Sequence, residues 1–413
     1  MLLVCSGNTI AQNVNKTQVV DSLCAALVNN YVYLDTAKQM CSYIKQRLSD
    51  GAYNQAATPN AFAQMLTEDL HHVYHDAHMT VNYSPPAKVP ATPQSNRAAA
   101  AQENFGFRKL EILGGNIGYI AFDRFPGLND DSKETADAAF TFLKNGNALI
   151  IDLRNNGGGS PDMNKYICGF FLPAGTILTG FYERRTNTFE ERRTEAKHLS
   201  FGTKPVYILT SRHTFSGGEA FAYDMQNLHR ATVIGETTGG GAHAVEPQNI
   251  SNGFVGLIPY ARAVSPITGT NWEGTGVKPD IAIAADSALD AAVLGYYNYQ
   301  LANTTDSAQI NNITWVRDML QARLHPYPVD TTLEKKYAGM YGSRTILFEA
   351  DGFFYTGTNG KKTKLVQLSA TAFKLADIDN MKIEFVGDSN GIPNTMRFIF
   401  GDGFISNYPK NNK

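Results

Sequence analysis

Residues 204–230 read "KPVYILTSRHTFSGGEAFAYDMQNLHR". The apolar run "VYILT" (206–210) has the look of a buried strand, and a helix-like run follows from Gly217. Ser216 stands at the junction, ahead of Gly217, Gly218 and Glu219. Ser-x-x-Glu before a helix is a capping box, in which each side chain satisfies the other residue's backbone N–H. The same position suits a nucleophile. The Gly217 N–H points out of the helix start and can hold an oxyanion, helped by the helix dipole. Two glycines in a first turn cost about 1 kcal/mol each relative to alanine, and they let another molecule approach the backbone. Local sequence leaves both readings open.

The pattern repeats outward. "NIGYIAFDRF" (116–125) is a strand, and "DDSKETADAAFTFLKNG" (130–146) is a helix stopped by Gly146. "NALIIDLRNNGGG" (147–159) is a buried strand running into a glycine turn, and "ATVIGETTGGG" (231–241) is another strand. Strands alternating with helices imply βαβ units around a largely parallel sheet. Ligands in such sheets gather at the strands' carboxyl ends, where both glycine turns and the Ser216 turn would meet. Residues 15–80 are helical by periodicity, with Phe62, Met65, Leu66, Leu70 and Val73 on one face. Beyond about 325, apolar–polar alternation between turns at Asp351-Gly352 and Asn359-Gly360 marks hairpins. The expected layout is a remnant of a signal segment at 1–12, an N-terminal helical domain at 13–83 and a Pro/Ala/Ser-rich linker or mobile loop at 84–104. A catalytic α/β core follows at 105–300, then a connector at 301–330 and a small all-β domain at 331–413.

The chain's 413 residues exceed one ordinary core. Its 43% hydrophobic and 18% charged residues describe a globular protein. A net charge of −2 argues against a nucleic-acid or anionic-membrane partner, and no apolar run reaches the roughly 20 residues of a membrane span. "MLLVCSGNTIAQ" resembles the end of a secretory signal, which points to the periplasm or the cell exterior. A lipid anchor at Cys5 is the less favoured reading, because small residues do not precede it. Cys24 and Cys41 are either a pair formed in an oxidising compartment or two buried thiols.

A nucleophilic serine needs a base. "HHVYHDAHMTV" holds His71, His72, His75 and His78, and His213 and His243 lie in loops near Ser216 as rival bases. The spacing of His71, His75 and His78 suits helical metal ligands, but no His-Glu-x-x-His is present, and neither a metal nor another cofactor is expected. Glu273, in "NWEGTGVKPD", is a candidate to orient the base; alternatively it is a solvated surface acid. The turn "DLRNNGGGS" lacks the Gly-Lys-Ser/Thr of a phosphate loop. It is either a loose turn or the source of a second oxyanion donor.

Taken in order, "DLRNNGGG", "TSRHTFSGGEAFAYDMQNLHRATVIGETTGGGAH" and "WEGTGVKPDI" resemble the tail-specific (C-terminal processing) serine peptidases. The resemblance is nearest to the interphotoreceptor-retinoid-binding-protein-like group, which shares a core with tricorn protease, and it covers roughly residues 15–300. It implies an α/β, ClpP/crotonase-like sheet-and-helix core with βαβ units, behind an N-terminal helical bundle. It implies Ser216 as nucleophile, with Gly217 and Gly158 as oxyanion donors. Many members use a lysine one strand later, where this chain has Gly241, so a Ser-Lys dyad is absent. Tricorn-like members use an N-terminal histidine, here His78, linked through a preceding serine to a glutamate, here Glu273. Ala77 replaces that serine, so another group would have to bridge His78 and Glu273. The family often carries a PDZ domain, for which 84–104 is too short. The expected function is a serine peptidase acting on a protein or peptide. A catalytically weak ligand- or peptide-binding protein on the same fold is the alternative, and hydrolysis of a non-peptide ester or amide is a third reading.

Overall fold

The computed structural model describes residues 14–84, 93–327, 336–350, 352–378, 380–387, 392–401 and 404–411. The expected signal remnant at 1–12 with Cys5, and residues 85–92 of the expected linker, lie outside the described residues. The chain divides into two compact units, Met1–Ala288 and Leu289–Lys413.

In the first unit, three helices lead: α1 (Lys16–Asn30), α2 (Leu34–Ser49) and α3 (Pro59–Val73). Asn15 and Thr58 cap α1 and α3 by accepting backbone N–H groups with their side chains. Leu23, Leu27, Met40, Ile44, Phe62 and Leu66 form their shared core, completed by Ile250, Phe254 and Ile258. After α3 come β1 (Thr80–Tyr83), α4 (Pro93–Gln102), β2 (Phe107–Leu113), β3 (Ile117–Phe122), α5 (Asp130–Leu143), β4 (Ala148–Asp152) and α6 (Pro161–Cys168). Next are β5 (Ile177–Glu183), β6 (Thr188–Arg193), β7 (Val206–Thr210), α7 (Gly217–Asn227) and β8 (Thr232–Gly235). The unit's last strands are β9 (His243–Asn249), β10 (Phe254–Val264) and β11 (Ile281–Ala282).

These strands make two sheets. One has six strands in the order β11-β8-β7-β4-β3-β2, parallel throughout except for the antiparallel β2–β3 pair. β4 and β7 are buried at every residue, as strands covered on both faces must be. The other is an antiparallel sheet of five strands, in which β10 joins β1, β9 and β5, and β5 joins β6.

The ClpP/crotonase-like expectation is corrected here. Alternating βαβ units reveal only the parallel sheet. The antiparallel sheet draws on segments near residues 80, 180 and 250, and no single stretch of sequence contains its pairing. It also carries half of the site, because β1 and β9 both lie against β10.

The second unit begins with the rest of α8 (Ala288–Ala302) and α9 (Ser307–Leu324). A meander follows: β12 (Gly339–Tyr341), β13 (Arg344–Glu349), β14 (Gly352–Thr356), β15 (Lys362–Gln367), β16 (Ala372–Leu375), β17 (Met381–Gly387), β18 (Pro393–Phe400) and β19 (Ile405–Pro409). Each strand pairs with the next. Tyr341 bridges Lys410, and the Asn411 N–H donates to Met340 O at 2.8 Å, so the first and last strands meet in a nearly closed barrel. Tyr337, Phe353, Phe373 and Phe385 fill it. Closure removes the free edges that an open meander would expose.

Cys24, Cys41 and Cys168 are free and buried, with the Cys41 thiol 3.5 Å from Cys24 O. No helix among the described residues is long and apolar enough to cross a membrane.

Candidate active site

β4 and β7 are neighbouring parallel strands, so the loops at their carboxyl ends meet. They are stitched together by the Phe215 N–H donating to Asn156 O (2.9 Å), Thr214 Oγ1 to Leu153 O (2.7 Å) and Asn164 Nδ2 to Gly217 O (2.9 Å). Ser216 is held between them at φ +51°, ψ −115°, a conformation that L residues rarely adopt. Its N–H donates to Glu219 Oε2 at 2.8 Å, the Glu219 half of the expected capping box.

Glu219 does more than cap. It is fully buried and also accepts the Gly240 N–H (2.6 Å), the Gly241 N–H (2.8 Å) and the Thr238 hydroxyl. Burial raises its pKa against the pull of those hydrogen bonds. One carboxylate thereby fixes the loop after β8 to the start of α7. The loop must run close. A Cβ on Gly241 would sit 2.3 Å from Phe215 Cζ and 2.6 Å from His78 Cε1. The space a lysine side chain would need at 241 is already filled by those two rings.

The expected oxyanion groups divide. The Gly217 N–H is the first of α7 and has no intrahelical acceptor. Gly158 lies against Ser216, since a Cβ on it would stand 2.7 Å from Ser216 Cβ. Its N–H, however, donates to Asn156 Oδ1 at 2.9 Å. The Gly159 N–H has no partner among the described residues, and Gly159 lines the same cavity as Ser216 and Gly217. Gly159 adopts φ +130°, where a side chain would collide with Phe125 O. Asn156, fully buried and anchored by its Nδ2 on Phe122 O (2.9 Å), sets this turn.

The histidines divide as well. His78 is packed on the Phe215 ring at 4.6 Å between centroids. Neither ring nitrogen has a partner among the described residues. Burial lowers its pKa to about 4, so it is neutral at ordinary pH. It does not line the Ser216 cavity, and it makes no hydrogen bond to Glu273 or Ser216. His243 does line that 210 Å³ cavity, together with Ser216 and Gly217. Its side chain is fully buried, and Nδ1 lies 2.7 Å from Asp76 Oδ2 and 3.6 Å from Glu273 Oε2. That leaves Nε2 as the unpartnered ring nitrogen. His213 belongs to the Arg212 loop, apart from this cavity.

Asp76 is the residue that sequence reasoning missed, although it lies inside "HDAH". Its Oδ1 accepts the His78 N–H (3.1 Å), and Oδ2 accepts from the Tyr31 hydroxyl (3.1 Å) as well as from His243. Burial pushes its pKa up, but the His243 hydrogen bond and charge outweigh this and hold it below the ordinary value. Glu273 Oε2 accepts the Ala242 N–H at 2.6 Å, while Oε1 has no partner among the described residues. Its pKa is raised by burial first, and Asp76 adds to this against the pull of His243. The two carboxylates thus differ: Asp76 is ionised on the imidazole, and Glu273 stands behind it.

Asp76, His243 and Glu273 bring ligand atoms within 4.8 Å of one another, close enough to surround a metal ion. The 2.7 Å Nδ1–Oδ2 separation is of hydrogen-bond length.

A glycine-framed serine at the carboxyl edge of a parallel sheet thus stands by a histidine on a second, antiparallel sheet and the carboxylate that holds it. The chain matches Peptidase family S41 over residues 116–283, and the N-terminal domain of Peptidase S41 in eukaryotic IRBP over residues 9–106. Both regions match the S41 family of tail-specific peptidases. It is 29% identical to the tricorn protease of Thermoplasma volcanium over 178 residues, 42% of this chain and 16% of that one. It is likewise 29% identical to the chloroplastic carboxyl-terminal-processing peptidase 2 of Arabidopsis thaliana over 166 residues, 40% of this chain and 31% of that one. The matched region is therefore about a third or less of these relatives' own length. A crystal structure reported as a peptidase from Parabacteroides merdae superposes with a TM-score of 0.51 at 20% identity, covering 68% of this chain and 96% of that one. The fold is accordingly the S41 type and not ClpP/crotonase.

Proposed function

We propose that the protein is a serine peptidase in which Ser216 is the nucleophile and His243 its base. One observation carries the reading. Ser216, held in a strained turn at a helix start, shares a cavity with a histidine whose Nδ1 is fixed by a buried carboxylate and whose Nε2 is left free among the described residues. Ser216 Oγ attacks the scissile carbonyl carbon while its proton passes to His243 Nε2. The carbonyl π pair moves onto oxygen and is held by the Gly217 and Gly159 N–H groups. The tetrahedral intermediate collapses, the C–N bond breaks, and the amine leaves with the proton from Nε2. A water deprotonated by the same nitrogen then hydrolyses the acyl-enzyme. Asp76 is a positioning residue that sets the imidazole tautomer and balances its charge, and Glu273 supports it from behind.

In this reading His78 has a packing role. It fills, with Phe215, the space that relatives give to a lysine. A protein or peptide is the proposed substrate, and the periplasm or the cell exterior the proposed location, which cell fractionation decides. Labelling with an uncharged fluorophosphonate, followed by peptide mapping, tests the nucleophile. Ser216 should carry the label, and Ser216→Ala should abolish both labelling and peptide hydrolysis. A protein that binds peptides but never labels would be the ligand-binding alternative.

A further inference from the structure

The cavity beside Ser216 is walled by apolar and aromatic side chains, among them Phe181, Tyr260 and Trp272, but it also contains a cation, Arg192. Arg192 is the one buried residue of β6, 4% exposed. A guanidinium cannot lose its charge in a protein, and an unpaired buried charge is costly. Seven of the unit's other eleven arginines lie within 4.0 Å of a carboxylate, as in Arg47–Asp69, Arg154–Asp152 and Arg193–Glu191. Arg192 has no carboxylate within 4.0 Å among the described residues.

Its partners are backbone carbonyls: Nη1 donates to Thr179 O at 3.5 Å and Nη2 to Pro161 O. Its Cζ lies 5.6 Å from the centre of the Phe181 ring, a cation–π contact. These bonds use two of its five N–H donors. Asp224 feels its charge, and Asp224 Oδ1 is taken by the Thr179 N–H (3.0 Å) and hydroxyl (2.6 Å). Burial pushes the Asp224 pKa up to about 6 against the pull of Thr179 and Arg192, and its carboxylate makes no ion pair with Arg192 within 4.0 Å.

A fixed cation lining a small cavity next to the nucleophile is a receptor for an anion. Guanidinium geometry matches a carboxylate, which it can grip with two parallel hydrogen bonds. We propose that Arg192 is the floor of a specificity pocket that takes a carboxylate of the peptide beside the scissile bond. The proposal rests on the peptidase reading of the same cavity and names its substrate class. Two parts of a peptide carry this group: an acidic side chain at the cleaved residue, and a free C-terminus one residue beyond the cut. The aromatic walls bind the stem in either case.

The test uses two pairs of fluorogenic peptides. One pair differs only in Glu against Gln at the cleaved residue, and the other only in a free against an amidated C-terminus. The wild-type kcat/KM should favour the carboxylate member of one pair by about ten-fold or more, and that pair identifies the source. Arg192→Met should bring the ratio close to one, and Arg192→Lys should keep part of it. Fluorophosphonate labelling of Ser216 reports whether each variant is folded. If Arg192→Met does not fold, the wild-type and Arg192→Lys ratios still decide. In parallel, calorimetry on Ser216→Ala measures binding of the same peptides without turnover. Wild-type ratios near one in both pairs, or a ratio unchanged in Arg192→Met, overturn the proposal while leaving the peptidase reading intact. Carboxylate-selective, Arg192-dependent binding by a protein that neither labels nor cleaves would overturn the peptidase reading and uphold this one.

Discussion

Ser216 holds φ +51°, ψ −115°, and backbone strain of this kind costs about 1–3 kcal/mol. Glycine adopts the region freely. Ser216→Gly should therefore raise the melting temperature above that of Ser216→Ala, while both lose hydrolysis. Equal melting temperatures would mean that the turn is unstrained. At the same scale, the two histidines should separate. His243→Gln removes the proposed base and should lower kcat by a factor on the order of 10³ or more, with little change in KM. His78→Phe keeps an aromatic ring against Phe215 and should retain activity within about ten-fold. The opposite ranking would restore His78 as the base. Asp76→Asn should lower kcat and shift the acidic limb of the pH–rate profile, because the imidazolium would lose its counter-charge. A purely structural Asp76 would change stability without moving that limb.

At the level of elements, the loops after β4, β7 and β8 act as one piece because Glu219 and Asn156 tie them together. Glu219→Gln keeps the volume but turns two acceptors into one acceptor and a donor facing backbone N–H groups. Buried mismatches of this kind cost about 1–3 kcal/mol each. The expected result is slower labelling of Ser216 by the fluorophosphonate, with near-native far-UV dichroism. How much of this was legible follows from how local each feature is. Ser216, its box with Glu219 and the glycine turn at 157–159 are written in contiguous residues, and so they could be read. The pairing of Asp76 with His243 could not. It depends on β1 and β9 both lying against β10, a register fixed by burial of Phe254 and Ile258 against the N-terminal helices. The choice between Gly158 and Gly159 turns on one Asn156 hydrogen bond. Resemblance pointed to His78 because it matches in sequence position. Only the packing around Gly241 shows what its ring displaces.

For the whole molecule, two of the buried groups that shape stability against pH pull in opposite directions. His78 has its folded pKa lowered to about 4 from an ordinary value of 6.5. Between those values the unfolded chain binds the extra proton, so stability rises with pH across this window and is lost as pH falls through it. Asp224 has its folded pKa raised to about 6 from 3.8. There the native state binds the extra proton, so its contribution is full below about 3.8 and is lost as pH rises toward 6. Each shift of two or more units corresponds to roughly 3 kcal/mol at 1.36 kcal/mol per unit. The two largely cancel between about pH 4 and 6. Removing one should expose the other. His78→Phe should be less sensitive to acid than the wild type over pH 6.5 to 4. Asp224→Asn, which keeps the side-chain oxygen facing Thr179, should be more sensitive over the same range. Urea unfolding at half-unit pH steps measures both slopes, and parallel curves for wild type and both variants would show that neither group titrates as its burial requires.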